Sequence, residues 1–145
     1  EFYNADGGEI SACGNGCRCV AKLLMDESKN KKVSLRTRAG VLYAELNNKD
    51  LVSINMRKPN FEWNKIPLIK KLDNKNLQIK IKTIDGDVIE GGFSLSVGNP
   101  HLVFFIKDLS KFNLKDIGPE LENHKYFPEK CNVTLANIKI VKIIL

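Results

Sequence analysis

The sequence predicts an α+β fold dominated by antiparallel strands, and three observations carry that expectation. Most apolar residues fall in short runs that alternate with polar ones, the period-two signature of a half-buried strand. The pair Asp85-Gly86 stands between two such runs, a strong local signal for a hairpin. Only a few stretches space their apolar residues as a helix does.

In chain order, the first twelve residues are polar and glycine-rich. A helix is expected over 16–25, with Cys17, Val20, Ala21 and Leu24 on one face. After a charged connector over 26–32, residues 33–38 alternate as a strand, Ala39-Gly40 turns, and 41–46 form a second strand. A turn over 47–50 leads to a third strand over 51–56. Pro59 and Pro67 bracket an aperiodic segment holding Trp63, the single tryptophan, and this is the expected boundary between domains 1–59 and 60–145. The second region predicts strands over 76–84 and 88–97 around Asp85-Gly86-Asp87, then a strand over 101–106. Short helices are expected over 108–112 and 117–124, and closing strands over 131–138 and 140–145.

Composition narrows the function classes. The 145 residues are 43% hydrophobic and 28% charged, enough for a buried core and too apolar for wholesale disorder. Apolar runs such as 103–106 and 143–145 are far short of a membrane span, and with no charged n-region and apolar h-region in the opening residues a secretory signal is not expected. It begins at Glu and stops on the apolar Ile143-Ile144-Leu145, so a piece of a longer protein is expected. The net charge is +6, with 19 lysines among 23 basic residues. They are scattered without an arginine cluster or aromatic platform, so neither nucleic acid nor membrane is the expected partner. A basic nucleic-acid-binding module remains the alternative of a different class. Three of the four cysteines, Cys13, Cys17 and Cys19, lie within seven residues, where a disulfide framework would spread them, and a reducing cytoplasm is expected.

The run Cys13-Gly14-Asn15-Gly16 carries the chemistry. A cysteine set before glycines at a helix start meets backbone N–H groups and the positive end of the helix dipole, which stabilise a thiolate. The same amides hold a carboxylate, because glycine lets a ligand approach the backbone. One turn then binds a substrate carboxylate and sets a sulfur base beside its α-carbon, which suggests proton abstraction. The alternative is a cysteine packed as a small apolar side chain at a helix cap. Cys17 and Cys19 are expected to pack in the core, since Cys-x₃-Cys-x-Cys is not a common zinc spacing, and no metal is expected. Ser96-Val97-Gly98-Asn99-Pro100-His101 offers an extended Asn99 whose amide can reach a cleft, and a His101 able to tune a neighbouring thiol. Phe127-Pro128-Glu129-Lys130-Cys131-Asn132-Val133 sets an asparagine at a strand start. Each of these two has a bland structural alternative.

Taken in order, the stretches resemble the diaminopimelate epimerase family. Phe2-Tyr3-Asn4-Ala5-Asp6-Gly7, then Cys13-Gly14-Asn15-Gly16 with Arg18-Cys19, is similar to its first signature. Gly98-Asn99-Pro100-His101, Ile117-Gly118-Pro119, Glu122-Asn123-His124, Phe127-Pro128 and Asn132-Val133 follow in the family's order. The resemblance implies two similar barrel-like antiparallel β domains, each built around a helix and both incomplete here. It implies a cofactor-independent epimerisation of LL- to meso-diaminopimelate by two cysteines on opposite faces of the α-carbon. Cys13 would be one of them, Gly14 and Asn15 would hold the α-carboxylate, and Asn4, Asn99 and Asn132 would bind the substrate's polar ends. His101 would sit near the cysteine pair and adjust its acidity. The resemblance leaves open a homodimer of the full-length protein, and a proline racemase or another cofactor-free isomerase of the superfamily is the runner-up.

Departures are local: Lys130 for an arginine, Cys131 for threonine or valine, Cys17 for a small residue, and Arg57 for a glycine. The family's second cysteine motif would lie beyond residue 145 and an opening substrate-binding segment before residue 1. The 145 residues alone are therefore expected to be inactive, poorly stable and prone to association.

Overall fold

A computed structural model describes residues 2–3, 7–10, 12–47 and 50–138 of the chain. The expected strand over 140–145 and the site candidate Asn4 lie outside the described residues. The fold is α+β. Its elements are β1 (Phe2–Tyr3), β2 (Glu9–Ile10), α1 (Gly14–Ser28), β3 (Lys32–Thr37), β4 (Gly40–Leu46) and β5 (Val52–Asn55). Then come β6 (Ile79–Lys82), β7 (Val88–Gly91), β8 (Phe93–Ser96), β9 (Pro100–Phe105), a 3-10 turn (Leu109–Lys111), α2 (Leu114–Glu122) and β10 (Asn132–Ala136). They fall into two compact units, Glu1–Pro59 with Val97–Asn99, and Asn60–Ser96 with Pro100–Leu145.

In the first unit α1 packs on the antiparallel sheet β3–β4–β5. The helix buries Cys17, Ala21 and Met25, an i, i+4, i+8 stripe, against Leu35, Leu42 and Ala44. This corrects the expected face: Val20 and Leu24 are exposed, and Leu23 more so. Small side chains at Cys17 and Ala21 let the helix lie close to the sheet, and closeness rather than apolar bulk decides which face is buried. The helix also starts two residues earlier and ends three later than its apolar spacing indicates. Cys13 caps its start, and Lys29 closes its end in the left-handed conformation at φ 57.

The second unit holds the larger core, with Ile66, Ile79, Ile89, Leu102, Phe104 and Leu121 all nearly or fully buried. Each such side chain contributes roughly 1.5–3 kcal/mol. The segment around Trp63 is no bare linker, because Ile66 and Leu68 belong to this core and the Leu68 amide donates to the Trp63 carbonyl at 2.9 Å. The Asp85-Gly86 hairpin is as expected, joining β6 to β7 with Gly86 at φ 90. The single strand expected over 88–97 is broken in two. Gly91 and Gly92 have φ of 98 and 99, which bends the chain out of the β6–β7 ladder and into β8. A Cβ at Gly92 would lie 2.9 Å from a Leu102 methyl carbon, so the bend is packed as well as permitted.

Among the described strands the antiparallel rule has one exception. β8 and β9 pair antiparallel, but β10 joins β9 parallel, with Asn132 opposite His101 and Ala136 opposite Phe105. The crossover that parallel pairing requires is the 3-10 turn and α2. Asn113 caps α2 by accepting from the Lys115 amide at 3.0 Å. The barrel-like sheets that the resemblance implied are not found: the described strands form four open sheets of two or three strands, and none closes on itself.

The Ser94 hydroxyl is fully buried in β8 and has no hydrogen-bond partner among the described residues, which ordinarily costs about 1–3 kcal/mol. Ser94→Ala should therefore leave stability unchanged or raise it by about 1 kcal/mol in urea unfolding. A clear loss would show that the hydroxyl is satisfied.

Candidate active site

The start of α1 is built around sulfur. Cys13 takes an extended backbone (φ −132, ψ 113), and its side chain accepts the Gly16 amide at an N–S distance of 3.4 Å. Cysteine is not among the preferred N-cap residues. The geometry therefore places a nucleophilic sulfur where a serine or aspartate oxygen normally sits. The first turn contains no acidic residue, so nothing on the helix itself neutralises its positive end. Gly14 and Asn15 open the helix, where amides have no intrahelical acceptor. Asn15 is exposed, and its side-chain oxygen accepts from the Arg18 guanidinium one turn on.

Gly98 and Asn99 belong to this same unit. Gly98 has φ 113, and a Cβ built on it would lie 2.9 Å from the Ala39 Cβ and 3.8 Å from that of Ala12. Only glycine fits there without displacing the β3–β4 turn. The asparagine of the second motif is thereby seated beside the buried residue that precedes Cys13. Cys13, Gly14, Asn15 and Asn99 are thus all carried by one unit.

His101 and Asn132 lie in the other unit as parallel neighbours on β9 and β10, and Asn132 donates from Nδ2 to the Pro100 carbonyl at 3.3 Å. The residues before Asn132 explain why the third motif is long. Phe127 is buried, the Lys130 amide donates to its carbonyl at 2.9 Å, and the Cys131 amide donates to the Glu122 carbonyl at 3.2 Å. Cys131 Sγ donates to the Leu121 carbonyl at 3.6 Å. The last turn of α2 therefore holds the chain that delivers Asn132.

The other thiols are sorted by environment. Cys17 is buried below Cys13, and burial pushes its thiol up. Burial, with the Glu122 carboxylate adding to it, pushes the Cys131 thiol up to about 12. Cys19 is exposed, which corrects its expected place in the core. Among the described residues no group of three or more His, Cys, Asp or Glu side chains could hold a metal, and no helix is long and apolar enough to cross a membrane. Ala39, expected in a turn, and Arg57, which stands where the family has a glycine, meet beside Gly98; the positive φ that Arg57 adopts (70) is what a glycine there would supply, but their contact joins residues far apart in the chain.

Burial lowers both histidines below the ordinary 6.5, with Lys125 adding to the shift at His124. Burial thus favours the neutral form of His101 at neutral pH. Between 6.5 and the lower folded values the unfolded chain binds more protons, so stability is intact above pH 6.5 and declines below it. Chemical unfolding from about pH 7.5 down to about pH 5.5 should show this decline. Replacing both histidines by glutamine should flatten it, and an unchanged slope would assign the decline to other groups.

Comparison with known proteins follows the same residues. A family model described as diaminopimelate epimerase matches residues 1–62. A diaminopimelate epimerase of Pelagibacter ubique (strain HTCC1062) is 47% identical over 138 residues, covering 95% of this chain and 50% of the relative. Those of Afipia carboxidovorans and Rhizobium leguminosarum bv. trifolii are 41% and 39% identical, over 94% and 95% of the chain and 48% and 46% of their own lengths. The chain spans about half the length of the curated relatives it matches. That similarity to diaminopimelate epimerases runs through the motifs that build the sulfur-capped helix and the Asn132 strand.

Proposed function

We infer that the protein carrying this chain is a cofactor-independent isomerase that interconverts LL- and meso-diaminopimelate, in lysine and peptidoglycan-precursor synthesis. The observation that carries this reading is the sulfur cap: Cys13 Sγ at 3.4 Å from the Gly16 amide, at a helix start free of acidic residues. The substrate α-carboxylate takes the open amides of Gly14 and Asn15, and Asn99 and Asn132 bind its polar ends. The Cys13 thiolate then takes the α-proton: an S–H bond forms as the Cα–H bond breaks, and the electron pair moves toward the carboxylate. The helix-start amides offset the charge that develops there, so the step as read needs neither pyridoxal phosphate nor metal. His101 is read as the residue that adjusts the acidity of the cysteine pair.

Inversion requires a second acid on the opposite face of the α-carbon. Cys17 and Cys131 are buried with raised thiols. Cys19 lies six residues along the same helix, about 9 Å further from its start. None fits the role, so the second thiol is assigned to the rest of the protein, and the 145 residues alone are read as inactive. The domain reading is likewise ours: 1–59 is part of a first epimerase domain and 60–145 part of a second, each barrel-like and built around a helix. The exposed Val20, Leu23 and Leu24 support it, because they leave α1 an apolar side beyond the β3–β5 sheet for further strands to cover.

The test uses the full-length protein. Cys13→Ala should abolish epimerisation of LL-diaminopimelate, followed by optical rotation or by coupled turnover of the meso product. Cys13→Ser should do the same while keeping or improving stability, since serine is the better cap. Retained activity in either variant sinks the assignment.

A further inference from the structure

The Gly98–Asn99 seat is held from beneath by a residue the reaction does not use. Arg57 follows β5 with φ 70, a conformation ordinarily left to glycine. The strand end is set for it: the Asn55 side-chain oxygen accepts the Arg57 amide at 2.8 Å. The guanidinium reaches back across the sheet and donates from Nη1 to the Ala39 carbonyl at 3.0 Å. It passes so close to Gly40 (φ 112) that a Cβ there would collide with it. The same Ala39 packs on Gly98 from its other side. One turn residue is thus gripped by Arg57 and in turn supports the residue before Asn99.

We propose that Arg57 is a positioning residue, which fixes the β3–β4 turn through the Ala39 carbonyl and so sets where Asn99 meets the amino-acid substrate. This rests on the reading of Asn99 as a substrate ligand. An arginine at φ 70 bears local backbone strain that glycine would not, and its hydrogen bond to the Ala39 carbonyl is what the side chain adds in return. Ala39 lies so near Gly98 that a Cβ built on the glycine would be 2.9 Å from it, so a shift of Ala39 toward Gly98 bears on it directly. A loosened turn therefore reaches Asn99 directly.

Arg57→Gly separates the two effects, since it removes the clamp while relieving the backbone. In the full-length protein it should raise KM for diaminopimelate about five-fold, the effect of one misplaced hydrogen bond, with kcat within about two-fold and no loss of thermal stability. Amide hydrogen exchange at Gly98 and Asn99 should quicken by a similar factor. Arg57→Lys, which keeps a donor for the Ala39 carbonyl, should restore most of both. Unchanged exchange at Gly98 and Asn99 overturns the proposal, as does a fall of kcat together with a lowered melting temperature. A wild-type protein without epimerase activity would overturn the functional reading instead, and the exchange measurement would still decide the clamp.

Discussion

The start of α1 depends on one weak hydrogen bond, from the Gly16 amide to Cys13 Sγ. A helix start leaves its first amides without intrahelical acceptors, and an oxygen cap with an acidic first turn would satisfy them locally. Here the cap is a soft, long-range acceptor and the first turn is Gly14-Asn15-Gly16. Much of the positive end of α1 is therefore left for something outside the helix. A local rule broken without local compensation points to function, and the cap breaks its rule at the residue whose chemistry is strongest. Cys17 and Ala21 follow from this start: with Cys13 fixed outside the helix, the stripe one and two turns on must face the β3–β5 sheet, and small side chains let the sheet come close.

The second unit reaches a comparable result by topology. An asparagine at a strand start has no fixed neighbour until the strand has a partner, and Asn132 gains His101 only because β10 runs parallel to β9. Parallel pairing demands a crossover, and α2 supplies it. The motif residues between them are mostly joinery. Asn123 donates from Nδ2 to the Pro119 carbonyl at 2.7 Å, and His124 Nδ1 accepts the Tyr126 amide at 3.3 Å. Phe127 anchors the turn and Cys131 ties it to the end of α2. Residues that read as a signature in sequence are here the means of delivering one asparagine.

Physical cause separates what was legible in the sequence from what was not. Asp85-Gly86 announced its hairpin because turn type is a local property of two residues. The strands β3 and β4 showed their alternation because one face of each is buried. The helix face was misread because hydrophobicity favours Val20 and Leu24, whereas burial was decided by the approach of the sheet to Cys17 and Ala21. The break at Gly91–Gly92 lay inside an otherwise continuous strand pattern, and glycine permits extended and bent chain alike. The pair β1–β2 is too short, at two residues each, to show a period. Parallel pairing of β10 is a non-local fact that no window along the chain contains. Of the site, Cys13, Gly14 and Asn15 were legible because capping is local, while the seat of Asn99 on Ala39 joins residues far apart in the chain.

The four cysteines show why placement, more than residue type, assigns chemistry. Cys17 and Cys131 are small buried side chains whose thiols are pushed upward, so neither is poised to take a proton. Cys19 is open to solvent but lies in the helix body, where amides are committed to carbonyls of the preceding turn and none is left for an anion. Cys13 alone combines partial access with a helix start whose first amides have no intrahelical acceptor. A single base of this kind removes a proton from one face of a carbon and returns it to the same face, which changes nothing in the stereochemistry. Among the four thiols only Cys13 is placed for such a step, and it serves one face alone.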